Sequence, residues 1–323
     1  MMWRVVRKWQ LHVWELSGPS STWEAQLQAR LAAEPVFAVI SGLGGRTWAP
    51  VQQFCEHAAI PCLFPNVEAP VIAESDFYTM YFTKGVSLEA QLIGRALEAA
   101  NAGSPPRRVV QVLRAGDVGE EGAKALAATL SSAVPNVVHT LRGRPTPKEL
   151  AAALGDVRAG DALVLWLRPE EIRALGAPPA ASSVWMSGLM ADLEHAPLPD
   201  TWRTAVHMAY PFDLPPARRV RIDYSLGWFR IRAVPIVALQ VQADTYLACG
   251  LLSETLNHMV DTFQRDYLLE RIEGTLEHRI LTGYYPRLAL APDQRFASKG
   301  GYVVHFTAAA PMQPVADGEW AAP

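Results

Sequence analysis

Residues 41–47 read Ser-Gly-Leu-Gly-Gly-Arg-Thr, a run of small residues closed by a cation and a hydroxyl. Such a run lets backbone N–H groups converge on an anion, and a helix starting just behind it would add its partial positive charge. The spacing is not that of a nucleotide P-loop, because no Gly-Lys-Ser/Thr follows. It is not a dinucleotide fingerprint either, because Gly42, Gly44 and Gly45 do not fit G-x-G-x-x-G. A purely structural turn is the commoner reason for an isolated motif of this kind. Cys55, His57 and Cys62 carry metal-ligating atoms, yet a tetrahedral site requires a fourth ligand and no matching Cys/His pair occurs elsewhere. The eight histidines are scattered, and neither H-E-x-x-H nor G-x-S-x-G appears. The expectation is therefore no metal, no cofactor and no catalytic residue. Arg46, Trp166, Arg168, Ser187 and Tyr210 fall at or just past the ends of strand-like segments, where open parallel sheets hold their ligands. Each alone has a blander reading: aromatic residues pack in cores, Ser187-Gly188 makes a turn, and an arginine before a proline sits in solvent.

The elements that would position these residues follow an alternating pattern. Residues 8–16 alternate like a strand, 22–34 follow a helical period, and 36–40 form a second strand that runs into the glycine turn. A helix over 50–57, strands at 61–64 and 79–83, and a helix over 87–101 complete a βα series. After a Gly/Ser/Pro breaker at 102–107 the series restarts: strand 108–113, helix 120–131, strand 137–141, helix 147–154, strand 162–167, then apolar segments 183–186 and 205–210. Alternation of this kind predicts parallel sheets covered by helices on both faces. A helical region over 234–277 and a late strand at 302–306 follow.

Composition bounds the function. The 323 residues are 50% hydrophobic and 19% charged, enough to bury the cores of two domains. A net charge of −3 provides no basic footprint for nucleic acid, and the longest apolar runs fall far short of the roughly 20 residues of a membrane span. Neither nucleic-acid binding nor membrane embedding is expected. The first 16 residues lack the apolar segment and cleavage site of a signal peptide, which taken literally predicts a cytoplasmic product.

Residues 35–70 (PVFAVISGLGGRTWAPVQQFCEHAAIPCLFPNVEAP) and 77–97 (FYTMYFTKGVSLEAQLIGRAL) resemble the substrate-binding proteins of branched-chain amino acid ABC transporters, which have the type I periplasmic binding fold. Residues 107–130 resemble the opening of that family's second lobe, with Gly119-Glu120 in the usual place. The resemblance covers most of the chain and is weaker beyond Asp161. It implies two doubly wound parallel-sheet lobes, residues 1–105 with 217–284 and residues 106–216 with 285–323. Hinge crossings would lie near 104–107, 211–219 and 283–286. It also implies that the first lobe lacks the family's first strand and helix, so that the chain is read as an N-terminally shortened product.

Carried over by position, the resemblance implies ligand contacts from Ser41, Gly44, Gly45, Arg46 and Thr47, from Asn66, Val67 and Glu68, and from Asp117, Val118, Trp166, Arg168, Ser187 and Tyr210. Val118 replaces the family's aromatic residue, and the acidic residue that would hold a ligand ammonium falls near Leu189. Together with Arg46 and Arg168 this tilts the expected ligand towards an anionic or neutral one. The implied function is non-enzymatic: a small amino-acid-like or carboxylate solute is captured between the lobes and presented to an ABC-transporter permease, in the periplasm. There Cys55 and Cys62 could form a disulfide. The alternatives are a cytoplasmic sensor domain of the same fold and, less favoured, an α/β enzyme.

Overall fold

The structure is a computed structural model that describes residues 8–73, 76–100, 106–181, 183–192, 198–259, 262–278, 283–290, 294–308 and 313–323. Two sheets organise it. The first begins after helix α1 (Trp23–Ala33) with strand β1 (Val39–Ile40), helix α2 (Ala49–His57), β2 (Cys62–Leu63) and β3 (Thr79–Met80), paired in parallel in the order β1-β2-β3. The Glu56 carboxylate on α2 accepts the amides of Phe77, Tyr78 and Thr79 at 2.9–3.0 Å, fixing the approach into β3. Much later the chain returns to this sheet. Tyr81 N–H donates to the Arg295 carbonyl and Ala297 N–H to the Tyr81 carbonyl, so residues 295–298 run parallel beside the end of β3.

Helix α3 (Val86–Ala100) packs on helix α4 and on the second sheet, not on the first. That sheet comprises β4 (Val109–Arg114), β5 (Asn136–Leu141), β6 (Ala162–Trp166), β7 (Ser183–Ser187) and β8 (Val206–Tyr210), with helices α4 (Gly119–Thr129), α5 (Pro147–Leu154), α6 (Pro169–Arg173) and α7 (Gly188–Ala191) between them. Helices α8 (Pro215–Ile231), α9 (Leu239–His258) and α10 (Arg265–His278) follow, then β9 (Tyr302–Phe306) and β10 (Pro314–Ala316). The strand order is β10-β9-β8-β7-β6-β4-β5, parallel from β8 to β5 and antiparallel at β9 and β10. At Gly94 a Cβ would lie 2.3 Å from Thr129 Oγ1, so α3 and α4 meet nearly backbone to side chain there.

Most predicted elements are present, and four differences have physical causes. Residues 8–16 are extended but form no strand: alternation supplies a pattern, whereas a strand also needs a ladder partner, and none pairs with it among the described residues. Trp14 and Leu16 pack on the α1–α2 core while Trp9, Leu11 and Val13 face solvent. Helix α8 went unrecognised because it starts with Pro215-Pro216, read as a breaker, and because its buried stripe of Arg218, Ile222, Ser225 and Phe229 includes two polar residues. Residues 234–238 are not helical: Ala233 adopts φ 53°, and the Gln242 side chain accepts the Val237 and Ala238 amides to start α9 afresh. The passages between sheets also fall elsewhere than at 104–107 and 283–286. The first lies at 83–85, between β3 and α3, and the third at 299–301, between the β3-paired segment and β9. The second, at 211–214, follows β8 as expected. Cys55 and Cys62 are free, buried thiols. They sit side by side among Phe54, Ile60 and Tyr81, and act as small apolar groups rather than as a disulfide.

Candidate functional site

The C-terminal ends of the first sheet's strands open into a cavity of about 510 Å³. The loop after β1 contributes Leu43, Gly44 and Gly45, the loop after β2 Pro65 to Glu68, and the loop after β3 Phe82, Thr83 and Gly85. The first turns of α9 add Gln240, Val241 and Asp244, the returning chain adds Tyr285, and α7 of the second lobe adds Leu189. A cavity at this end of a parallel sheet is where ligands of open α/β folds bind.

The glycine turn is shaped by an indole. Gly44 N–H donates to the Asn66 carbonyl at 3.1 Å and Asn66 N–H to the Gly42 carbonyl at 2.8 Å, so the two loops are laced together. Behind them lies Trp48, 5% exposed; a Cβ at Gly42 would sit 2.3 Å from its Cη2, and one at Gly44 2.6 Å from its Cε3. Glycine is needed at these positions so that the backbone can cover the ring. Gly85 is required differently, by φ 58° and by a Cβ position 2.0 Å from the Glu68 carbonyl.

Several polar atoms around the cavity are buried without a hydrogen-bond partner. Asn66 Nδ2, Thr83 Oγ1 and Asp244 Oδ1 belong to lining residues, and Ser41 Oγ lies close by in sequence at the start of the glycine turn. Natural interiors leave few such atoms unpaired, so these give the cavity wall unused hydrogen-bonding capacity. Asp244 is 3% exposed, and Tyr285 Oη–H donates to its Oδ2 at 3.2 Å. Burial pushes its carboxyl up to about 8, against the pull of hydrogen bonds from Tyr285 and Gln240. Asp244 was not singled out from sequence. The available signal was an aspartate inside the buried stripe of α9, otherwise Ala243, Leu247, Ala248, Leu251, Leu252 and Thr255.

The cavity rim joins the lobes through charge. Arg168 donates to both carboxylate oxygens of Glu68 at 2.6 and 2.7 Å, and to Asp117 at 2.9 and 2.7 Å. Arg114 bridges Asp117 and Glu171 at 2.7 and 2.8 Å. The Arg168 hydrogen bonds hold the Asp117 carboxyl down at about 2. Arg46 pairs across the same gap with Glu120. The two guanidiniums expected to receive an anion are therefore engaged by carboxylates of the opposite lobe.

The expected contacts divide accordingly. Gly44, Gly45, Asn66, Val67 and Glu68 line the cavity, and Leu189 faces them from the second lobe. Arg46, Asp117 and Arg168 form the rim, while Thr47 is half-buried outside the lining. Four others are interior. Val118 is buried in the α3–α4 core. Trp166, also fully buried, packs on Gly119 and Gly122 and donates Nε1–H to Gln111 Oε1 at 2.8 Å. Ser187 caps α7 through the Met190 amide and bonds to buried Glu89, and Tyr210 is held by Arg218. A position at a strand end does not say which way the side chain points, and these four turn into the helix layers.

Neither a family model nor a curated protein matches the chain. Solved structures do. A branched-chain amino acid transporter substrate-binding protein from Streptococcus pneumoniae, in complex with isoleucine, superposes with a TM-score of 0.63 at 14% identity, over 92% of this chain and 84% of its own. An ABC-transporter solute-binding protein from R. palustris, in complex with benzoate, gives 0.64 at 14%, over 94% and 83%. A fatty acid ABC transporter substrate-binding protein from Thermomonospora curvata gives 0.64 at 14%, over 93% and 79%. The fold is that of the type I periplasmic binding proteins. In this type I fold the cavity lies at the junction of the lobes, and among the described residues no helix is long and apolar enough to cross a membrane.

Proposed function

We propose that the chain is a non-enzymatic solute-capturing protein, the binding component of an ABC-type uptake system that works in the periplasm. A small amino-acid-like solute enters the cavity between the lobes, and the closed form is offered to a membrane permease. The observation that carries this reading is the cavity itself. It is walled by three first-sheet loops, α9 and a second-lobe residue, with unpaired polar atoms on lining residues. The fold neighbours, each described as a substrate- or solute-binding protein, support the same reading. A free carboxylate is a poorer candidate than the sequence suggested, because Arg46 and Arg168 already have carboxylate partners. Closure would turn on the passages at 83–85, 211–214 and 299–301, driven by the solute's extra affinity for the closed form.

A thermal-shift screen of amino acids, amines, alcohols and small aliphatic and aromatic acids tests the proposal. Binding to the native state alone raises the melting temperature progressively with solute concentration. Absence of any response, together with turnover of a substrate, would overturn it in favour of an enzyme.

A further inference from the structure

We propose that Asp244 is the anchor for a ligand ammonium group, so that the favoured solute is a small apolar amine without a free carboxylate. The inference rests on the solute-capture reading and names the class of solute. Three observations carry it. First, Tyr285 ties down Oδ2 and Gln240 lies against the same carboxyl, while Oδ1 of this nearly fully buried side chain on the cavity wall has no partner in hydrogen-bond geometry. Thr83 Oγ1, likewise unpaired, is a second acceptor on that wall. Second, among the described residues the charged groups lining the cavity are Glu68 and Asp244, with no Lys, Arg or His. Among the described lining residues an entering carboxylate would find no cation free to receive it, since Arg168 lies beyond Glu68 and is already bidentate to it. Third, the remaining lining is mainly apolar, with Val67, Phe82, Leu189 and Val241 able to cover a short branched hydrocarbon body.

The neutral state of this carboxyl fits the role. Burial raises the Asp244 carboxyl to about 8, so its neutral form prevails at pH 7; Tyr285 and Gln240 face it directly, and Glu68, paired to Arg168, lies on the same cavity. An arriving ammonium replaces the proton as the compensating charge. The carboxyl O–H bond breaks, the proton leaves to buffer, and an N–H donor takes its place on the carboxylate. A charge-assisted hydrogen bond in so dry a place is stronger than one between neutral groups.

One hydrocarbon body with three head groups separates the outcomes: 3-methylbutylamine, 3-methylbutanol and 3-methylbutanoate, titrated calorimetrically into the full chain at pH 7 in buffers of different ionisation enthalpy. The amine is expected to bind about ten-fold or more tightly than the acid, with release of close to one proton. Asp244→Asn should abolish that preference and the proton release, with circular dichroism confirming that the variant is folded. Thr83→Val provides a second, independent weakening. Tighter binding of the butanoate, an amine affinity unchanged in Asp244→Asn, or silence towards the amine would each overturn the ammonium assignment. In the first two cases solute capture itself stands, whereas its own failure shows as silence across the wider screen.

Discussion

Asp244 and Glu89 are carboxyl groups that the fold buries and that burial pushes up to about 8. In the unfolded chain both ionise near pH 4. Between pH 4 and 8 the native state therefore holds protons that the unfolded state has lost, so stability falls as pH rises through that window. Asp117 acts in a separate range. Its carboxyl is held down at about 2, so its stabilisation is present above pH 4 and is lost only as pH falls towards 2. Urea unfolding should accordingly show stability dropping by roughly a few kcal/mol from pH 5 to pH 8. The double variant Asp244→Asn, Glu89→Gln should flatten most of that slope, and a flat wild-type profile would refute the assignment. At this scale the sequence indicated position rather than role: Asn66 and Glu68 lie on the cavity wall, and Asp117 and Arg168 pair with each other at its rim. It was not legible for Asp244, whose neighbours on α9 read as plain core, nor for the orientation of Trp166 and Tyr210, which depends on helices that cover the sheet from distant parts of the chain.

At the scale of elements, the glycine turn after β1 is a lid over Trp48, and its two halves make different demands. Gly42→Ala places a methyl group against the indole and should destabilise the protein by about 1–3 kcal/mol through overpacking. Gly45→Ala, where a Cβ meets nothing within 4 Å, should change stability little. Equal effects in chemical denaturation would show that the turn is not seated on the ring. The βα alternation made the strands and most helices readable, because hydrophobic period and turn residues are local. Helix α8 was hidden by its leading prolines and by the buried polar pair Arg218 and Ser225. The alternating segment 8–16 was over-read for the opposite reason: local pattern was present and the pairing partner was not.

For the molecule as a whole, the rim pairs Glu68–Arg168 and Arg46–Glu120 join the lobes. These groups are partly exposed, so salt weakens their attraction. Small-angle scattering should show the ligand-free protein expanding as salt rises from low levels to about 1 M, where the screening length is about 3 Å. Glu68→Gln should be more open at low salt and less responsive. A radius of gyration indifferent to both would mean that the pairs do not set the lobe angle. The division into two sheets could be read from the restart of the βα series. The passages between them could not, because α3 is assigned to its lobe by packing against β7, β8 and β9, contacts made with residues far along the chain.

That topology also orders events on the ribosome. The five parallel strands of the second sheet, with α3 and α4 against them, all lie between Val86 and Tyr210, so this half can assemble from one uninterrupted stretch as it emerges. The first sheet is translated earlier but is completed only after those five strands, by a segment that just precedes β9 and β10 of the second sheet. The segment at 295–298 that lies beside β3, and Tyr285 that orients Asp244, leave the exit tunnel only after every parallel strand of the other half has been made. The cavity walled by Tyr285 and Asp244 is thus completed only after the parallel core of the other half.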